Sequence, residues 1–194
     1  MIGKMESLPK TLILGIGNLL WGDEGLGVRA VWAFQEQFHL PEGVTIMDGG
    51  TQGLSLTPFI QETDRLLIFD AVDFQQEPGS IVVRRNEEVP AYLHSGKMSL
   101  HQTGFQEVLI LCDLLGSSPR EMALVGVQPL EWDEFGGSLT ALVEGQIPLI
   151  LEKGAEILAE WGLVLSPGKE IPFDRISPDP IHMTISDRRT FPCA

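Results

Sequence analysis

Short apolar runs alternate along this chain with stretches in which apolar residues recur at helical spacing. Thr11 to Ile16 is one such run; after a Gly- and Asn-containing loop, Val28, Val31, Trp32, Phe34 and Phe38 share one side of a helix expected from about Glu24 to His39. Further runs at 44–48, 65–70, 80–83 and 122–127 predict four more strands. Helices fit near 53–62, 100–115 and 138–161, the last disturbed at Pro148. This alternation predicts a three-layer α/β fold: a twisted, mostly parallel five-stranded sheet with helices on both faces and right-handed crossovers. In such sheets ligands gather at the carboxyl ends of the strands, which directs the search for chemistry there.

Composition refines this picture in three respects. Residues 166–194 hold five of the 13 prolines and carry four basic and four acidic residues, so the pattern divides into an α/β domain over 1–165 and a Pro-rich tail over 166–194. All of the net charge of −14 lies in the domain, which argues against nucleic acid and anionic membrane surfaces as partners. Two cysteines, Cys112 and Cys193, suit a reducing cytosol. The first ten residues lack an apolar signal core and no apolar run approaches a membrane span, so a cytoplasmic protein is expected.

The loop after the first strand reads Gly15-Ile16-Gly17-Asn18-Leu19-Leu20-Trp21-Gly22-Asp23-Glu24-Gly25-Leu26-Gly27. A dinucleotide fingerprint would need glycine at 20, and the acidic Asp48 lies 31 residues beyond Gly17 where roughly 20 is usual. Asp23 is placed to cap the helix, with Glu24 at its first position near the positive end of the macrodipole. Gly25 and Gly27 lower helix propensity in the first turn, which implies that something approaches the backbone closely. Asp70 closes the apolar Leu66–Phe69 run. Ser99 and Gln102 form a capping box that puts His101 in the first turn of the next helix, where the dipole favours a neutral imidazole.

Glu24, Asp70 and His101 each follow a different strand, and parallel topology brings such positions to one edge of the sheet. Two carboxylates and an imidazole make a three-ligand set with open positions, suited to Ni, Zn or Mn. Each also has a plain structural explanation: dipole complement, turn residue and exposed histidine. His39, at a helix end, His94, in a loop, and His182, in the tail, are weaker ligand candidates. The sequence has no H-E-x-x-H, G-x-S-x-G or G-x-x-x-x-G-K-[ST] motif, and Cys112 falls on the apolar side of its helix, as a core residue rather than a nucleophile.

Taken together, Gly15-Ile16-Gly17-Asn18, Gly22-Asp23-Glu24-Gly25-Leu26-Gly27, Asp48-Gly49-Gly50-Thr51, Phe69-Asp70-Ala71, Ser99-Leu100-His101-Gln102 and Leu124-Val125-Gly126-Val127-Gln128-Pro129 resemble the nickel-iron hydrogenase maturation endopeptidases. Trp21-Gly22-Asp23-Glu24, Gly50-Thr51-Gln52-Gly53, Met98 to Gln102 and Gly136-Gly137-Ser138-Leu139 look most like the branch serving membrane-bound uptake hydrogenases. The resemblance implies removal of a C-terminal extension from the hydrogenase large-subunit precursor after nickel insertion. It also implies that Glu24, Asp70 and His101 bind that nickel, which arrives with the substrate. The metal would then polarise the scissile carbonyl or activate a water, making these three residues the catalytic candidates through the metal, with Asp48 nearby. Asp48, Gly49, Gly50 and Thr51 are candidates to hold the substrate chain. Two rival readings are a non-catalytic acidic chaperone of the nickel-loaded subunit and a nucleotide-binding domain.

Overall fold

A computed structural model describes residues 8–92, 100–132, 134–136 and 138–168. The five expected strands are β1 (Thr11–Ile16), β3 (Val44–Gly50), β4 (Arg65–Ala71), β5 (Ile81–Arg85) and β6 (Glu121–Val127), in the order β3-β1-β4-β6-β5. Within this sheet all pairings are parallel except β5 with β6. Among the described residues no helix is long and apolar enough to cross a membrane.

Strand alternation divides the core. Ile13, Leu67, Phe69 and Val125 pack on one face with Phe34 of α1 (Leu26–Gln37) and with Ile150 and Leu158 of α6 (Ile147–Glu160). Leu12, Leu14, Leu66, Ile68 and Leu124 pack on the other face. They meet Ile60 of α2 (Thr57–Gln61), Val89 of α3 (Glu88–Tyr92), and Phe105, Val108 and Cys112 of α4 (Leu100–Leu114). The chain leaves β1 toward β3, then crosses back to β4 on the other side of β1. This reversal opens a crevice at the carboxyl ends of β1 and β4, the usual ligand position in open α/β sheets.

Three expected elements have different limits. The helix expected over Glu24–His39 is shorter: Gly22–Gly25 form a 3-10 turn, closed where Glu24 N donates to Trp21 O at 2.9 Å, and Phe38–His39 form a short strand, β2. His39 is therefore an exposed strand residue and not a helix end. The 53–62 stretch is a 3-10 turn over Gly53–Leu56 followed by α2. The 138–161 stretch splits into α5 (Ala141–Glu144) and α6, because Pro148 is accommodated in the opening turn of α6, where its missing N–H costs nothing.

The first residues assigned to the tail are tied to the domain. Ser166–Pro167, β7, pair antiparallel with His39 and Phe38, and Gly168 N donates to Gln37 O at 2.7 Å. Residues 169–194, with His182 and Cys193, lie outside the described residues, as do His94 and Ser99.

Candidate functional site

The crevice is assembled by backbone contacts that tolerate no side chain. A Cβ on Gly27 would strike the carbonyls of both Ile16 and Phe69, so the first turn of α1 sits directly over the ends of β1 and β4. The low helix propensity of Gly27 thus reflects close approach of strand carbonyls. Gly17, at φ 147°, would likewise meet the Glu24 carbonyl, which accepts from Asn18 N at 3.0 Å. These contacts fix the 17–25 loop and bring half-buried Glu24 to the mouth of the crevice.

Asp70 stands at the end of β4 and is fully buried. Gln102 of α4 holds it: its Nε2 donates to Asp70 Oδ2 at 3.0 Å and to the Ala71 carbonyl at 2.9 Å. The amide expected to complete a capping box is thus turned into the sheet, and the Ser99 half of that box lies outside the described residues. Gly104 packs on Gly53, so the start of α4 also closes on the turn after β3. His101 occupies the first turn of α4, next to Gln102 in sequence. Its ring, the third member of the expected ligand set, lies outside the described side chains. Among the described side chains no three His, Cys, Asp or Glu groups converge on one point.

Asp48 lies at the end of β3, in register with Gly15 of β1. Its side chain meets Trp32 of α1, on the sheet face opposite α4. Partial burial there pushes the Asp48 carboxyl above the ordinary carboxylate range, while hydrogen bonds from the Gly50 backbone and the Trp32 indole work in the opposite direction. Gly49 packs against Leu14, and its carbonyl accepts from Gln52 N at 3.0 Å. The Gly50 carbonyl accepts from Gly17 N at 3.0 Å, joining the β3 end to the loop that carries Glu24, and Thr51 is exposed.

Asp23 is not a helix cap. It is fully buried, and its carboxylate accepts from the backbone N–H groups of Leu130 (2.9 Å), Glu131 (3.0 Å) and Thr140 (2.7 Å) and from Thr140 Oγ1 (3.1 Å). These donors lie more than a hundred residues away in sequence, beyond the reach of any local capping rule. Asp23 therefore binds the loop after β6 to the loop after β1. Gln128 does a similar task on the next strand end: its Oε1 accepts from Phe74 N at 2.7 Å and Gln76 N at 3.2 Å, and its Nε2 donates to Asp73 at 3.2 Å. Cys112 is buried in the core, which raises its thiol pKa and suits packing rather than nucleophilic attack.

The family model described as hydrogenase maturation protease matches residues 28–157. The hydrogenase expression/formation protein HupD of Rhizobium leguminosarum bv. viciae is 51% identical over 162 residues, 84% of this chain and 80% of the relative. The hydrogenase 2 maturation protease of Escherichia coli (strain K12) is 40% identical over 163 residues, 84% of this chain and 98% of the relative. Among solved structures, the hydrogenase maturating endopeptidase HybD from E. coli matches with a TM-score of 0.77 at 38% identity, covering 81% of this chain and 97% of that one.

Proposed function

The chain belongs to the hydrogenase maturation protease family, and from that premise we propose that it cuts the C-terminal extension from the large-subunit precursor of a nickel-iron hydrogenase once nickel is in place. Family membership makes it an endopeptidase, hence a hydrolase. The finer reading, in which the substrate's own nickel is recognised by Glu24, Asp70 and His101, rests on how the site is built.

The observation that carries it is the pair of hydrogen bonds from Gln102 to the end of β4. They tie the first turn of α4, where His101 lies, to the buried carboxylate of Asp70, while Gly27 brings the Glu24 loop over the same strand end. A carboxylate oriented by an outer amide is a common arrangement in metal sites. His101 belongs to the first turn of α4, and an imidazole is the third donor that this reading requires. Two carboxylates and one imidazole suit a borderline divalent ion held transiently as part of a substrate.

When bound, the substrate's nickel supplies Lewis-acid chemistry at the scissile carbonyl or at a water. The chain itself holds the metal-bearing segment through Glu24, Asp70 and His101, and Asp48 to Thr51 receive the flanking polypeptide on the neighbouring strand end. Such a reaction needs no serine or cysteine nucleophile, in keeping with a buried Cys112. The reaction is assigned to the cytoplasm.

Intact-mass spectrometry of purified, nickel-loaded precursor after incubation with this protein tests the proposal. Loss of a discrete C-terminal fragment is expected, with nickel-free precursor left uncut. Glu24→Ala, His101→Ala and the shape-preserving Asp70→Asn should each abolish the fragment. Cutting of nickel-free precursor, or full activity in all three variants, would overturn nickel recognition; binding of loaded precursor without any cutting would favour the chaperone.

A further inference from the structure

The loop after β6 is fastened to the loop after β1, yet large apolar side chains of both loops face water. Trp21 and Phe135 pair as an antiparallel bridge, and their rings meet edge to face at 5.4 Å. Gly136 N donates to Leu20 O at 2.7 Å and Gly22 N to Glu134 O at 3.1 Å. Asp23 gathers the amides of Leu130, Glu131 and Thr140 beneath them. On this frame Leu20, Leu130 and Phe135 remain 52%, 50% and 68% exposed.

Large apolar side chains held in water on loops tied together by backbone bonds mark a contact surface, since a partner that covers them gains the hydrophobic term without having to order the loop. The surroundings state the partner's charge. Glu131 and Glu134 are exposed on the same loop, and residues 11–28 and 121–152, which supply both halves of the frame, include no lysine or arginine. The frame adjoins Glu24, whose N–H donates to Trp21 O at 2.9 Å.

We propose that this platform docks a segment of the precursor that is apolar and carries basic residues, beside the bond to be cut. The inference rests on the proteolytic reading above and deepens it by naming a specificity surface. The segment's apolar side chains cover Leu20, Leu130 and Phe135, and its cations pair with Glu131 and Glu134. Electrostatic attraction of this kind speeds encounter and is weakened by salt.

Fluorescence anisotropy of the full chain with a labelled peptide spanning the precursor's C-terminal segment is the test. The peptide should bind the unaltered protein and lose affinity as salt is raised. Phe135→Ser and the double variant Glu131→Lys/Glu134→Lys should each weaken binding roughly tenfold with unchanged thermal melts. Equal binding by all variants, no binding at all, or a self-associated form that Phe135→Ser dissociates without changing peptide affinity would overturn the proposal. Cleavage assayed in parallel separates the two readings. Normal cutting with an unchanged KM in the variants sinks the docking surface alone, whereas variant-sensitive binding without any cutting by the unaltered protein sinks the proteolytic function alone.

Discussion

Gln102 Nε2 lies 3.0 Å from Asp70 Oδ2, and this bond crosses from the first turn of α4 to the end of β4. Both residues are buried, so the amide is replaceable neither by water nor by a neighbouring side chain of the helix surface. Gln102→Leu should cost about 2 kcal/mol in urea unfolding, the usual penalty for leaving a buried acceptor short of a donor. It should also slow precursor processing by more than the stability loss explains, because Asp70 and the His101 turn lose their common reference point. Processing at the normal rate would separate Gln102 from the site.

Asp23→Ala removes the acceptor for three backbone N–H groups at once. A destabilisation of about 3 kcal/mol is expected. Hydrogen exchange should localise it, with the amides of Leu130, Glu131 and Thr140 losing protection first. If those three amides stayed protected, the loop would be held by its backbone pairing with residues 20–23 alone.

The Asp48 carboxyl titrates above the ordinary aspartate range because partial burial opposes its charge. A folded-state pKa above the unfolded one means that the native protein holds the proton longer. The Asp48 contribution to stability is therefore present below the unfolded pKa and lost as pH rises through the folded one. Asp48→Asn should flatten the stability profile in the window that begins near pH ~4. Trp32→Phe, which deletes a hydrogen bond to the charged form, should move the Asp48 midpoint further up in a carboxyl carbon NMR titration. A midpoint that fell would show the indole acting chiefly through desolvation.

We propose that the domain is complete by Gly168. Ending the chain there should leave the thermal transition unchanged, since β7 and the Gly168 bond to Gln37 are retained. Ending it after Leu165 removes both and should cost about 1–2 kcal/mol while preserving a cooperative melt. Loss of cooperativity in the chain ending at Gly168 would make residues 169–194 part of the domain's core.

How much of this molecule the sequence determined by itself can be judged residue by residue. The unbroken apolar runs at Thr11–Ile16 and Leu66–Phe69, and the helical spacing of Phe105, Val108 and Cys112, specified strands and helices because a short apolar run and a 3.6-residue period are local properties. That Asp70 falls at the end of β4 and Asp48 near the end of β3, toward one edge of the sheet, was legible too, since parallel topology follows from alternation. The tertiary structure alone decided the partners. Asp23 and Gln102 each satisfy a local capping pattern, yet a buried carboxylate or amide takes the donors and acceptors that the packed chain places around it. For Asp23 those come from 130–140, and for Gln102 from β4. The antiparallel β5, the cut between α5 and α6, and the exposed faces of Leu20 and Phe135 were likewise fixed by contacts between segments far apart in the chain, which no periodicity within one segment encodes.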